Sequence, residues 1–216
     1  MTYLQLVNAV LRKLRETEVT TVDETDYSRL IGDHVNDAKR LVEDSWDWSA
    51  LRTTFDITTV AGTNLYSLTD FGIRSEVFQV FNETDNYVIN KKPLAYIRKN
   101  DMLSDGQTSD VIGYALSGVD ANGDIQMRLF PTPSASSKTI SVYGIKRTDD
   151  LVNDSDTVLV PSNVIVAMAY GTALIERGET GGQSGSEQAF FAKYALSDAI
   201  ALDAGMHSDE LTWTTV

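Results

Sequence analysis

Apolar residues recur at three- and four-residue spacings through the start of the chain. Tyr3, Leu6, Val7, Val10, Leu11 and Leu14 form one stripe, the period of a helix with one buried face. Thr2 stands where a helix N-cap belongs, and Gln5, three residues on, completes a capping box. A second helix is predicted from about Asp26 to Trp46. Its stripe is Leu30, Ile31, Val35, Ala38, Leu41, Val42 and Trp46, while Arg29, Asp33, Asp37 and Lys39 fall off it. The link Thr17–Asp26 is short and polar, so the two helices are expected to form an antiparallel hairpin.

Beyond Trp48 the period falls to two. Phe55, Ile57 and Thr59 alternate with polar neighbours, and Ala61-Gly62-Thr63-Asn64 turns the chain before Leu65–Leu68. Val77–Phe81 and Tyr87–Ile89 flank a hairpin turn, and Lys92-Pro93 opens a short helical piece to about Leu103. Strands are predicted at Val111–Leu116 and Ile125–Phe130 around Asn122-Gly123, a tight-hairpin dipeptide, and again at Thr139–Ile145. Helical spacing returns at Pro161, a residue suited to a first turn. This helix carries Val164, Ile165, Met168, Leu174 and Ile175 beside the small residues Ala167, Ala169, Gly171 and Ala173. Gly178–Ser186 is a glycine-rich break, and a last helix is expected over about Glu187–Asp203, ended by Gly205. These elements predict an α+β fold. A four-helix bundle-like α domain, formed by N- and C-terminal helix pairs (1–52 and 149–205), holds an inserted antiparallel β domain (53–148), a small sandwich or twisted sheet. An extended C-terminal tail (206–216) follows.

Composition narrows the chemistry. The 216 residues are 42% hydrophobic and include no cysteine, which removes disulfide frameworks, zinc–thiolate sites, iron–sulfur clusters and cysteine nucleophiles. Two histidines, His34 and His207, are too few for a histidine-rich metal centre. The longest apolar run, Val164–Tyr170, is far shorter than a membrane span. Arg12, Lys13 and Arg15 interrupt any signal-peptide pattern, so a soluble protein folding in the cytosol is expected. The net charge of −13 is unevenly spread. Residues 149–216 hold 2 basic and 11 acidic side chains, and no segment offers the basic face that phosphate binding requires. An acidic wall can still meet DNA by repelling it.

No catalytic constellation emerges. Asp120, Asn122 and Asp124 alternate like calcium ligands, but Ile125 and Pro131 occupy the places where an EF-hand needs glycine and glutamate; a hairpin turn is the better reading. Gly178–Gly182 lacks the Gly-Lys-Ser/Thr of a phosphate loop, and Gln183–Ser186 lacks a nucleophile elbow. His34 reads as a packed or surface residue, and Asp154 with Asp156 as part of a solvated charge run. Catalytic, cofactor-binding and metal-ligating residues are therefore all read as none. Two features ask for more. Trp46 and Trp48 straddle Asp47 where helices give way to strands, and are expected to pin the two subdomains. Leu211 and Trp213 stand out in the polar C-terminal strip, either as a frayed end or as a docking peptide with a tryptophan anchor.

The order of these signals resembles the head-to-tail adaptor proteins of tailed bacteriophages, and especially the tubular tail protein A type of short-tailed phages. The resemblance rests on Trp46-Asp47-Trp48-Ser49-Ala50-Leu51-Arg52, on Gly62-x-x-x-Tyr66-x-Leu68 at the opening of the β insert, and on the alanine-rich stretch Ala167–Arg177 within a helix starting at Pro161. It implies a non-enzymatic virion protein of the neck, assembled in the host cytoplasm as a ring of twelve copies between the portal protein and the tail nozzle protein. The passing genomic DNA would be enclosed without sequence-specific binding, and no membrane or cofactor is implied. On this reading Leu211, Trp213 and Val216 dock on the portal, Trp46 and Trp48 form the subdomain junction, and Ala167, Gly171 and Ala173 serve helix packing or ring contacts. The alternative is a carbohydrate- or protein-binding module using the β insert, with Tyr87, Tyr96 and Tyr143 as an aromatic site. A hydrolase built on Asp101, Asp105 and Asp110 is a third, weaker reading.

Overall fold

Thr2 starts the first helix as its spacing predicts. The Gln5 amide donates to Thr2 Oγ1 at 3.3 Å and the Thr2 amide to Gln5 Oε1 at 3.0 Å, so two first-turn N–H groups are satisfied reciprocally. A computed structural model describes residues 1–69, 71–103, 108–178 and 185–206. They fall into two units: Met1–Leu51 with the chain from Thr148 onward, and Arg52–Arg147.

The first unit is built from α1 (Tyr3–Lys13), α2 (Asp26–Ser45), α4 (Ser162–Glu176) and α5 (Gly185–Met206). A second capping box, Thr25 with Ser28, opens α2. The α1 stripe is buried throughout, with Leu6, Val7 and Val10 fully removed from water. Helix α1 packs on α2 and α4, whose Ile31, Val35 and Val42, and Val164, Ile165 and Ala169, are equally buried. Each such side chain contributes about 1.5–3 kcal/mol. Helix α4 packs on α1, α2 and α5, whereas the packing of α5 is chiefly on α4. Small residues permit that last contact: a Cβ on Gly171 would lie 3.2 Å from the Ala189 amide nitrogen.

The second unit holds β1 (Arg52–Thr58), β2 (Leu65–Ser67), β3 (Glu76–Asn82), β4 (Tyr87–Lys91), α3 (Leu94–Leu103), β5 (Thr108–Ser109), β6 (Gly113–Val119), β7 (Ile125–Phe130), β8 (Thr132–Pro133) and β9 (Thr139–Ile145). Seven strands form one sheet in the order β1-β9-β3-β4-β6-β7-β2, and β5 pairs β8 apart from it. The core gathers Leu68, Val80, Met127, Leu129, Ile140 and Val142, all fully buried. The Gly62-x-x-x-Tyr66-x-Leu68 motif has a local cause. Gly62 takes a φ of +78°, the left-handed region glycine favours. Tyr66 Oη closes the same turn by accepting from the Val60 amide at 2.9 Å and donating to the Thr63 carbonyl at 2.9 Å.

These findings overturn the predicted fold class. The chain is α+β, but it is not chiefly a helical bundle carrying an antiparallel insert. Its sheet is large and mixed: β4 and β6 run parallel, Asn90 opposite Gly113 and Lys91 opposite Tyr114. A parallel pair needs a crossover, and α3 supplies it. Period-two alternation shows that a segment is a strand but carries no information on the direction of its partner. On the helical side, α5 rests on α4, with only Gly185 and Ala192 buried. The predicted extended tail lies outside the described residues, apart from Met206, which ends α5.

Gly144 on β9 leaves no room for a side chain. A Cβ there would overlap the Glu76 carbonyl oxygen and lie 3.0 Å from Phe71 Cζ, beside the irregularity between Val77 and Gln79. Backbone cannot give way as a flexible side chain can. Gly144→Ala is therefore expected to destabilise the protein by about 1–3 kcal/mol, read as a lower urea midpoint. An unchanged midpoint would contradict this account.

Candidate functional site

Residues 148–158, which return the chain to the helical unit, are stitched along α1 and α2 by polar side chains. Lys39 and Glu43, one helical turn apart on α2, are 0% and 1% exposed and lie 3.2 Å apart. The Lys39 ammonium also donates to the Thr148 carbonyl at 2.9 Å and the Asp149 carbonyl at 2.7 Å. The Thr148 hydroxyl donates to Glu43 Oε1 at 2.6 Å. All three ammonium protons thus have acceptors, the condition under which a buried charge is tolerated. Asn36 brackets Leu151, donating to its carbonyl at 3.1 Å and accepting from its amide at 2.9 Å. Arg40 forks onto Asp150.

The acidic run 149–156 is consequently structural. Asp154 accepts from the Val22 amide at 3.0 Å. Asp156 accepts from the Asn153 and Val152 amides at 2.7 and 2.9 Å, and these bonds hold its carboxyl below the usual carboxylate range. Burial, with Asp33 nearby, pushes the Tyr3 phenol up to about 12. Each carboxylate thus holds local backbone in place: Asp154 through Oδ1, and Asp156 through Oδ2 with Oδ1 accepting from the Asn153 side chain at 3.2 Å.

Trp46 and Trp48 both bond within the helical unit. Trp48, 2% exposed, donates its indole N–H to the Val42 carbonyl at 2.7 Å. Trp46 donates to Asp203 Oδ2 at 2.9 Å. Asp203 also accepts from the Ser49 amide at 3.1 Å and hydroxyl at 2.5 Å, which ties the segment after α2 to the end of α5. Arg177, at the end of the Ala167–Arg177 stretch, donates to Tyr27 Oη and Glu16 Oε1, each at 2.6 Å. It also stacks 4.7 Å from the Tyr27 ring. Gly171 and Ala173 are buried and Ala167 is half-buried. Leu211, Trp213 and Val216 lie outside the described residues, as does His207.

Sequence reasoning missed two of these groups. Lys39 is read as lying off the α2 stripe, yet it stands four residues after Val35 and three before Val42, a spacing that the buried face also accommodates. Asp203 carried no local signal at all. A third feature is the outer side of α5, where Phe190, Phe191 and Tyr194 are all more than half exposed, Phe190 and Tyr194 meeting edge-on at 4.7 Å. Large aromatic side chains grouped in water mark interaction surfaces.

Among the described residues the β unit shows no comparable site. Tyr87 packs on the core face and donates to the Val111 carbonyl at 2.7 Å. Tyr143 follows buried Val142 and so faces the other side of the sheet, against Phe78. Tyr96 sits edge-on to Phe130. The three tyrosines therefore form no common platform. Asp101 pairs with Arg128 and Asp110 with Lys138, while Asp105 is outside the described residues. Asp120 spends its carboxylate on the Asn122 and Asp124 amides of its own hairpin turn. Among the described residues no group of three or more His, Cys, Asp or Glu is placed to hold a metal, and no helix is long and apolar enough to cross a membrane.

With this geometry in view, the family model described as SU10 adaptor protein matches residues 1–213. The chain belongs to the SU10 adaptor protein family. A search of curated proteins gives no match. As an SU10 adaptor the chain is a structural component of a phage virion, in contact with other virion components. The features that resist a purely internal explanation, above all the outer face of α5, are of the kind such contacts use.

Proposed function

We propose that this adaptor joins head to tail: copies close into a ring, twelve as in the adaptors the sequence resembles, between the portal protein and the tail nozzle protein. The ring continues the DNA channel, and the assignment extends to the tubular tail protein A type of short-tailed phages. The observation that carries the reading is the outward aromatic face of α5 on a chain of a virion adaptor family. Phe190, Phe191 and Tyr194 leave in water an area that a neighbouring copy would cover. Gly171 brings α5 close to α4 and so fixes that face, buried Ala173 serves helix packing within the unit, and half-buried Ala167 remains for a ring contact. Trp46 and Trp48 stiffen the junction at the end of α2. Leu211, Trp213 and Val216 form the portal-docking peptide.

The chemistry of the channel follows from charge. Residues 149–216 carry 11 acidic and 2 basic side chains, and a wall of that sign lets phosphates slide because it does not bind them. The protein acts by binding, without catalysis, and assembles in the host cytoplasm. At −13 per copy, repulsion opposes ring closure of free chains at low salt, so a monomer that assembles on its partner is expected.

Light scattering tests this directly. The purified chain should have the mass of a monomer and, mixed with a portal ring, should enter a stoichiometric complex. A chain that ignores the portal ring would refute the reading. Deleting residues 206–216 should leave the far-ultraviolet circular dichroism unchanged and weaken portal binding at least 100-fold, as expected when a tryptophan hot spot and its neighbours are lost. Full binding by the truncated chain would remove the tail's role.

A further inference from the structure

A groove of about 560 Å³ opens in the helical unit beside the end of α5. Its apolar lining is Trp48, Leu159, Val160, Pro161, Leu202 and Met206, and Leu159, Leu202 and Met206 are 56%, 71% and 75% exposed. A concavity of this size with a mostly apolar lining is what seats a compact hydrophobic group.

We propose that this groove holds Leu211 and Trp213 of the same chain until a partner draws the tail out. The proposal deepens the docking role given to the tail above, and it rests on that role only for what releases it. The path of the chain supports it first. Met206 is both a wall of the groove and the last described residue before the tail. The sequence continues with four polar residues, His207-Ser208-Asp209-Glu210, then Leu211-Thr212-Trp213. An extended segment of that alternation turns Leu211 and Trp213 to one side. Trp213 lies seven positions beyond Met206, a reach of up to roughly 23 Å, so a reversal through the polar residues leaves slack.

Charge and hydrogen bonding agree. Asp198 and Asp203 are among the lining residues, and residues 211–216 bring no acidic side chain against them. The indole N–H is a donor to offer to such carboxylates. Ser162 and Asn163, the first residues of α4, also line the groove, and α4 begins with no side-chain cap. Its first-turn N–H groups therefore suit the carbonyls of an extended segment. A tethered peptide has an effective concentration near the millimolar range, which favours a chain's own tail over a neighbour's in dilute solution.

The absence of cysteine makes the test clean. Full-length chains carrying Leu202→Cys with Thr214→Cys, and Ala201→Cys with Thr214→Cys, both of which keep Leu211 and Trp213, would be treated at low micromolar concentration with dibromobimane, which bridges neighbouring thiols. Ala201 is exposed and does not line the groove, so the second pair reports chance encounters over the same tether. The 202/214 pair should bridge within one chain at least tenfold faster than the 201/214 pair. Adding Ala195→Arg, which fills the groove, or Leu211→Ser, which leaves its walls unchanged, should erase that advantage while circular dichroism stays constant. Equal rates for the two pairs would overturn the proposal. Covalent dimers in place of internal bridges would also overturn it, in favour of a neighbouring copy's tail. Portal binding measured on the same chains separates the two readings: equal rates with intact binding remove the groove's role alone, whereas fast bridging without binding removes the portal role alone.

Discussion

Replacing Lys39 by methionine is expected to cost about 3–5 kcal/mol of stability. Methionine keeps the apolar stem and removes the ammonium, so the packing around residue 39 changes little. The loss comes from what remains. Glu43 is left as a buried carboxylate without the Lys39 ammonium, and the Thr148 and Asp149 carbonyls lose their donor. Removing one charge of a buried pair outweighs the modest net worth of each hydrogen bond. Urea unfolding followed by tryptophan fluorescence would read the change. The double replacement Lys39→Met with Glu43→Leu should lose less than Lys39→Met alone, because it also removes the buried carboxylate. A single-variant loss below about 1 kcal/mol, the range of an exposed pair such as Arg40 with Asp37, would show that the pair is not what holds the returning chain.

Trp48→Ala ranks beside it, at about 3–5 kcal/mol. Trp48 heads the fully buried side chains by size, so truncation opens a cavity that rigid neighbours cannot fill. Its indole also satisfies the Val42 carbonyl in the last turn of α2, one of the groups a helix end leaves without an internal partner. Trp48→Phe should recover most of the packing and forfeit mainly the hydrogen bond, about 1 kcal/mol. Trp46→Phe should cost a similar small amount, since Asp203 keeps both bonds from Ser49. Thermal unfolding of the three variants gives the order. If Trp46→Phe proved as damaging as Trp48→Ala, the contrast drawn here between the two tryptophans would be wrong.

Much of the molecule was legible before any coordinate. The capping box at Thr2, the α1 stripe, the start of α2 at Asp26, the turn at Gly62 and the β6–β7 hairpin at Asn122-Gly123 each depend on residues within about four positions of one another. Those are the distances over which periodicity and turn chemistry act. The outlying predictions failed where the deciding contact was remote. Leu41 belonged to the α2 stripe by spacing and is exposed, while Lys39 was assigned to solvent and is fully buried. β5 and β8 are two-residue strands, too short to show a period, and exist through their pairing with each other.

The candidate site divides in the same way. Trp46, Trp48 and the small residues of α4 could be singled out by type and position, but not by partner. That Trp46 meets Asp203, that Lys39 and Glu43 hold residues 148 and 149, and that α5 turns three aromatic rings outward were settled by chain segments roughly a hundred or more positions apart in the first two cases. The sequence by itself determined where helices and strands begin, how they are capped, and the acidic character of the last third. Tertiary structure alone decided the parallel pairing of β4 with β6, the burial of an ion pair and the position of a groove beside Met206. The reason is physical: local propensity is written in neighbouring residues, whereas the environment that makes a charge buried or an aromatic face exposed is built by chain from elsewhere.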